Sequence, residues 1–386
     1  LLSGTQACAP AAIEILLPGH APEAGPPRLG VKLPEAFPLP SIPQDNPFTS
    51  EKATLGRFLF YDRRLSGNQT YSCASCHQQR LAFTDGRSRA LGATGELHSM
   101  SAMSLTNVAY NASFTWSDPK VRSLEQQALI PMYNEAPVEL GLAGRDQEIL
   151  RRFRSDPQYQ DMFQAAFSRS ADPFQMVNIT RALATFERTM ISGNSAYDRH
   201  VYQADPEALD EVSRHGMELF FSDRLSCSRC HAGFNLSGPV QWFQRPAARL
   251  LFHNTGLYDL RRPSFPDPNT GLLAHTGKKS HLGQFRAPTL RNIELTAPYM
   301  HDGSIATLEE VIEHYDAGGR AFRGRQRRQL GRSARHRSRL VRPQHLSKQE
   351  KSALVAFLEC LTDWQFVNDP RLGDPFSGST NADSDL

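Results

Sequence analysis

Hydrophobic side chains just after residue 50 recur at steps of three and four residues, the spacing of one face of an α-helix. Between residues 51 and 60, Leu55, Phe58 and Leu59 fall on one such face, and Ser50 stands where an N-cap is expected. The segment is therefore predicted to be an amphipathic helix.

A second amphipathic helix is predicted after Asp172 and Pro173, which are interpreted as its cap and first-turn residues. Apolar residues at alternating steps of three and four then continue from Met176 to Met190. Segments with the strict alternation of a strand are scarce, so the predicted fold class is mainly α.

Two later helices are predicted to begin with a capping box, in which Ser or Thr is followed three residues on by Glu. In TLEEVIEHYDAGG the box is Thr307 with Glu310, and Gly318 is the expected end. In SKQEKSALVAFLECL the box is Ser347 with Glu350. The apolar face of this last helix contains Leu354, Phe357, Leu358 and Leu361.

An internal repeat decides the domain organisation. GRFLFYDRRLS at residues 56–66 aligns without gaps with GMELFFSDRLS at residues 216–226, and each leads into a Cys-x-x-Cys-His motif. Two tandem domains are therefore predicted, at residues 47–204 and 205–386. Residues 1–46 are rich in Pro and Gly and are predicted to form an extended arm.

Three functions compete for the two motifs SCASCH and SCSRCH: a zinc site, a redox dithiol, or covalent attachment of haem c. Zinc sites usually place their two cysteine pairs within about 20 residues, whereas Cys73 and Cys227 are 154 positions apart. A redox dithiol needs a βαβ context, which the helical pattern lacks.

Haem c attachment explains every position of both motifs. The two thiols of each motif form thioethers with the haem vinyl groups, and the adjacent imidazole reaches the iron from the same side. The predicted cofactors are therefore two covalently bound haems. One is attached at Cys73, Cys76 and His77, and the other at Cys227, Cys230 and His231.

Length and charge narrow the functional class. The chain has 386 residues, of which 39% are hydrophobic and 22% charged, as in ordinary soluble globular proteins. No apolar run approaches the roughly 18 to 20 residues that cross a bilayer, so the chain is not expected to span a membrane. The segment 320–342 holds ten Arg and no acidic residue. It is interpreted as a solvated loop, with an acidic partner's docking site as the alternative and no nucleic-acid binding expected.

The sequence starts LLSGTQACAP, which is interpreted as the remainder of a signal sequence and predicts export to the periplasm. Two interpretations of Cys8 stay open. It is either a lipid anchor, although TQA is a poor match to the required preceding motif, or the disulfide partner of Cys360 in an oxidising compartment.

Six stretches of the chain are long and specific: LFYDRRLSGNQTYSCASCH, LTNVAYNASFTW, NEAPVELG, FRAPTLRN, LTAPYMHDGS and TLEEVIEHY. In these motifs the chain resembles the bacterial di-haem cytochrome c peroxidase and MauG superfamily, from about Pro47 to about Pro375. The stretch TGELHSMSAMSLTNVAYN is further similar to the MbnH branch, whose members modify a tryptophan of a partner protein.

The resemblance implies two all-α cytochrome c-like domains, with one haem in each and a calcium ion between them. It makes His77 and His231 the proximal iron ligands. The N-terminal haem would react with hydrogen peroxide, and the C-terminal haem would handle electrons.

The same resemblance assigns the distal side of the first haem. Gln127, Pro131 and Glu139 match the family's distal residues, with Glu139 as the carboxylate that moves a proton between the peroxide oxygens. The place of the histidine that blocks many resting peroxidases is taken by Ala93, so this iron is expected to be five-coordinate. His98 is nearby but out of register and is interpreted as a loop residue.

At the second haem two distal ligands are considered. Met300, in PYMHDG, is the default of a simple cytochrome c. The family register instead selects Tyr315, fourteen residues after His301, and a hard phenolate would lower the potential of the iron.

Trp116 lies 39 residues after His77 and matches the family's bridging tryptophan, so it is the predicted relay between the haems. The family's calcium ligands correspond to Ser101 and to the backbone carbonyls of Thr296 and Pro298. Ser101 replaces an Asn, and a hydroxyl is a weaker calcium ligand than an amide oxygen.

The resulting functional hypothesis is an enzyme that uses hydrogen peroxide to form a bis-Fe(IV) state and oxidises a tryptophan of a partner protein. One alternative is a cytochrome c peroxidase that makes water with electrons from a small cytochrome or cupredoxin. Another is a non-enzymatic di-haem electron carrier.

Overall fold

A computed structural model of the chain describes residues 30–247, 249–258, 269–320 and 337–377. The described residues form helices joined by turns and isolated β-bridges, with no extended strand among them. The helices are α1 Ser50–Tyr61, α2 Cys73–Cys76, α3 Leu124–Tyr133, α4 Asp146–Arg154, α5 Pro157–Ala166, α6 Met176–Glu187, α7 Ala196–Tyr202, α8 Glu211–Phe221, α9 Leu273–Thr276, α10 Leu308–Asp316, α11 Lys348–Glu359 and α12 Trp364–Val367.

The first predicted helix is confirmed as α1, but its cap is one residue earlier than predicted. The side chain of Thr49, rather than Ser50, accepts a hydrogen bond from the backbone N–H of Lys52 at 3.2 Å. Leu55 and Leu59 are fully buried, as their shared face requires. Two adjacent hydroxyl residues satisfy the same cap rule, so the pattern alone did not choose between them.

The predicted cap of α6 is wrong. The helix begins at Met176 with Gln175 in the cap position, and Asp172 instead accepts the backbone N–H of Phe174 at 3.0 Å in the turn before it. The helix also ends at Glu187, so the buried Met190 lies beyond its last turn.

Of the two predicted capping boxes, the one at α11 is complete. Ser347 accepts the N–H of Glu350, and the Glu350 carboxylate accepts the N–H of Ser347 at 2.8 Å. At α10, Thr307 accepts the N–H of Glu310, but the Glu310 carboxylate turns to the N–H of Ala306. At α10, therefore, only the half of the capping box formed by the Thr307 side chain is confirmed.

The repeated sequence builds the same helix crossing twice. A Cβ at Gly56 would collide with the Ala182 carbonyl oxygen of α6, and a Cβ at Gly216 would collide with the Ala353 carbonyl oxygen of α11. Each glycine thus lets the first helix of its repeat contact the backbone of a later helix.

The buried apolar side chains form two clusters that largely follow the two repeats. The first cluster runs from Leu55 to Met190, and the second runs from Tyr197 to Leu361. The last described segment returns to the first cluster, where Phe366 packs against Phe83 with ring centroids 5.6 Å apart. The predicted boundary between residues 204 and 205 stays a prediction.

A polar network joins the two halves. Asn292 donates to Ser192 Oγ at 3.1 Å and to Thr106 Oγ1 at 3.3 Å, and Asp363 accepts the N–H of Gly193 at 2.9 Å. Nearby, Arg291 and Asp198 form a bidentate ion pair in which both side chains are almost fully buried. The groups that point into this junction satisfy one another, so the two halves are held in one arrangement.

None of the helices in the described ranges combines the length and the apolar character needed to cross a bilayer. The predicted arm is described only from residue 30 onward, and there Phe37 packs between Tyr110 and Phe234. Cys8 and most of the Arg-rich segment, residues 321–336, lie outside the described residues.

We expect Gly216→Ala to destabilise the protein by about 1–3 kcal/mol, because the added methyl group meets a backbone oxygen that cannot rotate away. The measurement is thermal or denaturant unfolding of the purified protein. Glu218→Ala on the exposed face of the same helix is the control and should change the stability by at most about 0.5 kcal/mol. An unchanged Gly216→Ala stability would mean that the two helices are not in backbone contact.

Candidate functional site

The first Cys-x-x-Cys-His motif forms the single-turn helix α2, which His77 terminates. The backbone N–H of Ser72 donates to Ser75 Oγ at 3.0 Å and fixes the start of the turn. His77 Nδ1 lies 2.8 Å from the carbonyl oxygen of Phe83, so Nδ1 carries the proton and Nε2 has a free lone pair. This is the arrangement that a metal-ligating histidine needs.

The second motif repeats this device with a different partner. Cys227 to Arg229 form a 3₁₀ turn, and His231 Nδ1 lies 3.1 Å from the carbonyl oxygen of Pro288 in FRAPTLRN. Burial lowers the pKa of His231 to about 4, so the imidazole is neutral near pH 7 and able to bind a metal through Nε2.

The four cysteines of the motifs are unpaired thiols in the structure. Burial raises the pKa of Cys76 to about 12 and that of Cys227 to about 11, which favours the protonated thiol over the thiolate that a redox dithiol needs. Among the described residues, no group of three or more His, Cys, Asp or Glu is arranged to hold a metal. Cys73 packs on the first apolar cluster and Cys227 on the second, so the two pairs do not converge on one site.

A large, mainly apolar cavity opens beside the second motif. Cys227, Cys230 and His231 lie on its wall together with Met300 and Tyr315. Both distal ligands considered from the sequence therefore share a cavity with His231, and the choice of Tyr315 stays a prediction. Burial raises the pKa of Tyr315, so its phenol ionises only beside a strong positive charge such as a ferric iron.

Arg286 provides a test of whether this cavity fits a haem. The residue lies on the cavity wall, and only 4% of it is exposed. The contacts described for it are to neutral groups, namely the Thr115 carbonyl oxygen, Asn111 Oδ1 and Met103 Sδ. Burial lowers its pKa to about 10. A buried cation without a described carboxylate partner fits a ligand that brings its own anion, as the propionates of haem do.

The predicted distal residues of the first domain are brought together. Pro131 lies in α3 beside Gln127, and its carbonyl oxygen accepts the backbone N–H of Leu140 at 2.9 Å. This bond holds the neighbouring Glu139 against the helix. Burial alone raises the pKa of Glu139 to about 7, so the carboxyl can both take up and release a proton near neutral pH.

Ala93 lies directly against Glu139. The backbone N–H of Ala93 donates to the Glu139 carbonyl oxygen at 2.8 Å, and the Ala93 carbonyl oxygen accepts Asn68 Nδ2 at 2.7 Å. The methyl group at this position cannot bind iron.

His98 is a site residue that the sequence reasoning missed. It lies in a loop, as expected, but its Nε2 is 3.9 Å from Glu139 Oε1. The contact depends on how residues 89–100 fold back on themselves, with Leu91 opposite Leu97 in a β-bridge. The only signal in the sequence was that His98 lies five residues after Ala93, the position where related peroxidases have a histidine.

Trp116 also lies on the wall of the cavity beside the second Cys-x-x-Cys-His motif (the second cavity). Its indole N–H donates to the Ser101 carbonyl oxygen at 3.0 Å, and its ring meets His301 edge-on with centroids 6.4 Å apart. His301 in turn stacks on Phe285 at 3.5 Å. The two other tryptophans lie elsewhere: Trp242 stacks with Arg245, and Trp364 is 58% exposed.

One of the predicted calcium ligands, Ser101, contacts this tryptophan. Ser101 Oγ donates to the Met300 carbonyl oxygen at 3.2 Å, which places it next to the segment that contains Thr296 and Pro298. Asn269, which the sequence analysis did not identify, donates from Nδ2 to the Ser99 carbonyl oxygen at 2.7 Å. Its buried Oδ1 has no hydrogen-bond partner among the residues that the structure describes. An orphaned amide oxygen in this region fits a hard cation.

Comparisons with known proteins agree with this geometry. A family model described as di-haem cytochrome c peroxidase matches residues 50–206. The methylamine utilization protein MauG of Methylorubrum extorquens is 33% identical over 331 residues, which cover 85% of this chain and 82% of that protein. Cytochrome-c peroxidase IdrP1 of a Pseudomonas species is 33% identical over 360 residues, which cover 88% of each chain.

A solved structure of a MauG-like protein associated with microbial copper homeostasis is similar to this chain over nearly its whole length. The TM-score is 0.84 at 42% sequence identity, and the match covers 89% of this chain and 98% of that one. The similarity includes both motif-bearing halves.

Arg286→Gln is expected to lower the reduction potential of a haem bound in the second cavity, because loss of a nearby positive charge favours the ferric state. Spectroelectrochemical titration of the purified protein measures the shift. Arg214→Gln, on the exposed surface of α8, removes the same charge at a distance and should leave the potential unchanged. Equal potentials in Arg286→Gln and the parent protein would show that Arg286 does not face the haem.

Proposed function

Because the chain belongs to the family of di-haem cytochrome c peroxidases and MauG proteins, and is therefore an oxidoreductase with two tandem cytochrome c-like domains, we propose that it uses hydrogen peroxide to oxidise a tryptophan of a partner protein. Reduction of one hydrogen peroxide to two water molecules consumes two protons and two electrons. The indole of the partner would supply both electrons.

The observation that carries this proposal is Tyr315 on the same cavity as His231. A phenolate is a hard, anionic ligand that stabilises oxidised iron, whereas the thioether of a methionine favours the reduced state. The similarity to a MauG-like protein at 42% identity supports the same choice. On this basis we propose that the chain is an MbnH-like member of the family.

Haems attached at the two motifs would supply peroxide reduction and storage of the two oxidising equivalents. The residues of the chain would move the proton and shape the site where peroxide binds. Glu139 would accept a proton from one peroxide oxygen and return it to the other, since its pKa near 7 suits both steps. Gln127 and Pro131, on the adjoining helix, would shape the distal side.

Trp116 and His301 would provide the route between the haems. The indole is fixed by its bond to the Ser101 carbonyl oxygen. Three residues further on, Ser104 donates to the Ala82 carbonyl oxygen at 2.7 Å. The carbonyl oxygen of the next residue, Phe83, is the one that holds His77. The indole thus lies on the wall of the second cavity, and the short segment from Ser101 to Ser104 connects it to the residues that hold His77.

We further propose one bound calcium ion, held by Ser101 and by the carbonyl oxygens of Thr296 and Pro298. Asn269 Oδ1 would supply the amide oxygen that the replacement of Asn by Ser101 removes. The protein would work in the periplasm, where such a partner is exported alongside it.

An ordinary cytochrome c peroxidase is the second candidate. The similarity to cytochrome-c peroxidase IdrP1 and the presence of Met300 on the second cavity favour it. In that case the electrons would come from a small cytochrome or cupredoxin and no partner residue would be altered.

Tyr315→Phe separates the two candidates. We expect the variant to lose the distal ligand of the second haem and to raise its reduction potential within the roughly 0.8 V range that axial ligands span. Stoichiometric peroxide added to the diferric parent should produce a near-infrared band from oxidising equivalents shared by the two haems, and Tyr315→Phe should not. Tyr299→Phe, on the same cavity wall, is the matched control.

The opposite result would favour the ordinary peroxidase. It would consist of an unchanged Tyr315→Phe spectrum, a changed Met300→Leu spectrum, and rapid oxidation of a reduced small c-type cytochrome by peroxide.

Glu139→Gln is expected to slow the reaction with peroxide by about 10²–10⁴-fold, because the amide cannot move a proton. In the parent protein the rate should rise with pH through about 7, since the ionised carboxylate is the form that accepts the peroxide proton. Stopped-flow absorbance of the haem measures both effects. Glu135→Gln, exposed in the same loop, should behave like the parent; a parent-like Glu139→Gln would remove Glu139 from the mechanism.

A further inference from the structure

His98 and Glu139 face each other at 3.9 Å, and each side chain is 26% exposed. The loop that carries His98 is held by its backbone: the N–H of His98 donates to the Ala90 carbonyl oxygen at 2.7 Å, and its carbonyl oxygen accepts Arg89 Nε at 2.7 Å. These backbone contacts fix the position of the residue, and a contact of the ring itself sets its orientation.

One ring nitrogen of His98 is fixed as an acceptor. The backbone N–H of Met100 donates to His98 Nδ1 at 3.1 Å. Because a backbone N–H can only donate, Nδ1 has no proton, and the neutral ring carries its proton on Nε2. Nε2 is the atom that faces Glu139 Oε1.

Burial lowers the pKa of His98, and the positive charge of Arg89 lowers it further, so this tautomer stays neutral near pH 7. A proton added to Nδ1 would also break the bond to Met100. Glu96 is the other charged group packed here; it is exposed, and its carboxylate accepts the backbone N–H of Val138 at 3.0 Å. His98 is thus a donor to Glu139 and not a competing base.

We propose that His98 is a positioning residue whose Nε2–H donates a hydrogen bond to the Glu139 carboxylate when that group ionises. The bond requires Nε2 and Oε1 to approach by roughly 1 Å, to an ordinary donor–acceptor distance. This inference rests on the proposed function, in which Glu139 moves the peroxide proton.

The bond would offset part of the cost of holding a carboxylate in a buried site. A hydrogen bond to the charged form of an acid favours ionisation. His98 would therefore keep the ionised form of Glu139 accessible near neutral pH, and without it the carboxyl would stay protonated to higher pH.

His98→Asn is the sharpest test, because it separates the two ring nitrogens. An Asn side chain accepts the backbone N–H two residues on, so it retains the bond to Met100, but it is too short to donate to Glu139. The expected result is a rise of about one unit in the pH midpoint of Glu139 ionisation, the size of one charge-assisted hydrogen bond. His215→Asn, on the exposed face of α8, is the matched control and should not move the midpoint.

The midpoint is read by infrared titration of the carboxyl stretch of the intact haem-loaded protein, with Glu139→Gln subtracted to identify the band. The pH profile of the peroxide reaction should move by the same amount. An unchanged infrared midpoint in His98→Asn, with normal unfolding, overturns the inference even if peroxide turnover persists. A shifted midpoint with a peroxide reaction that is unchanged in Glu139→Gln supports the pairing and instead removes Glu139 from the proposed mechanism.

Discussion

Two close helix crossings, at Gly56 and Gly216, are the contacts on which the rest of the structure depends. At each crossing only a hydrogen atom fits between the Cα of one helix and a carbonyl oxygen of the other. Four residues after each glycine comes a Phe that packs at the motif: Phe60 lies 6.5 Å from the ring of His77, and Phe220 lies on the wall shared with His231. Each crossing therefore places a Phe close to the histidine of its motif.

Burial shifts the pKa values of several ionisable groups near the two motifs. It acts in opposite directions on acids and bases, since in each case it disfavours the charged form. It raises the pKa of Glu139 to about 7 and that of Glu187 to about 8, and it lowers the pKa of Arg286 to about 10. Such groups are costly to stability, and their presence beside the two motifs fits sites that are completed by a charged cofactor.

The two halves differ although they share a sequence repeat. In the first half the small Ala93, which offers no ligand, is hydrogen-bonded to the backbone of Glu139. In the second half a phenol and a thioether both face the cavity of His231. The proposed division of labour, with one haem open to peroxide and the other closed by Tyr315, rests on this difference between equivalent sites.

The sequence by itself determined the helical class, the repeat and both haem-attachment motifs, because these depend on periodicity and on residues adjacent along the chain. It placed two helix caps wrongly, since Thr49 and Ser50 satisfy the same local rule at α1 and α6 begins without a side-chain cap bond. Only the tertiary structure decided which distant side chains meet. His98 beside Glu139, Asn269 beside Ser99, and Arg286 without a carboxylate partner among the described residues all arise from loops, whose paths are fixed by long-range contacts and leave no periodic signal in the sequence.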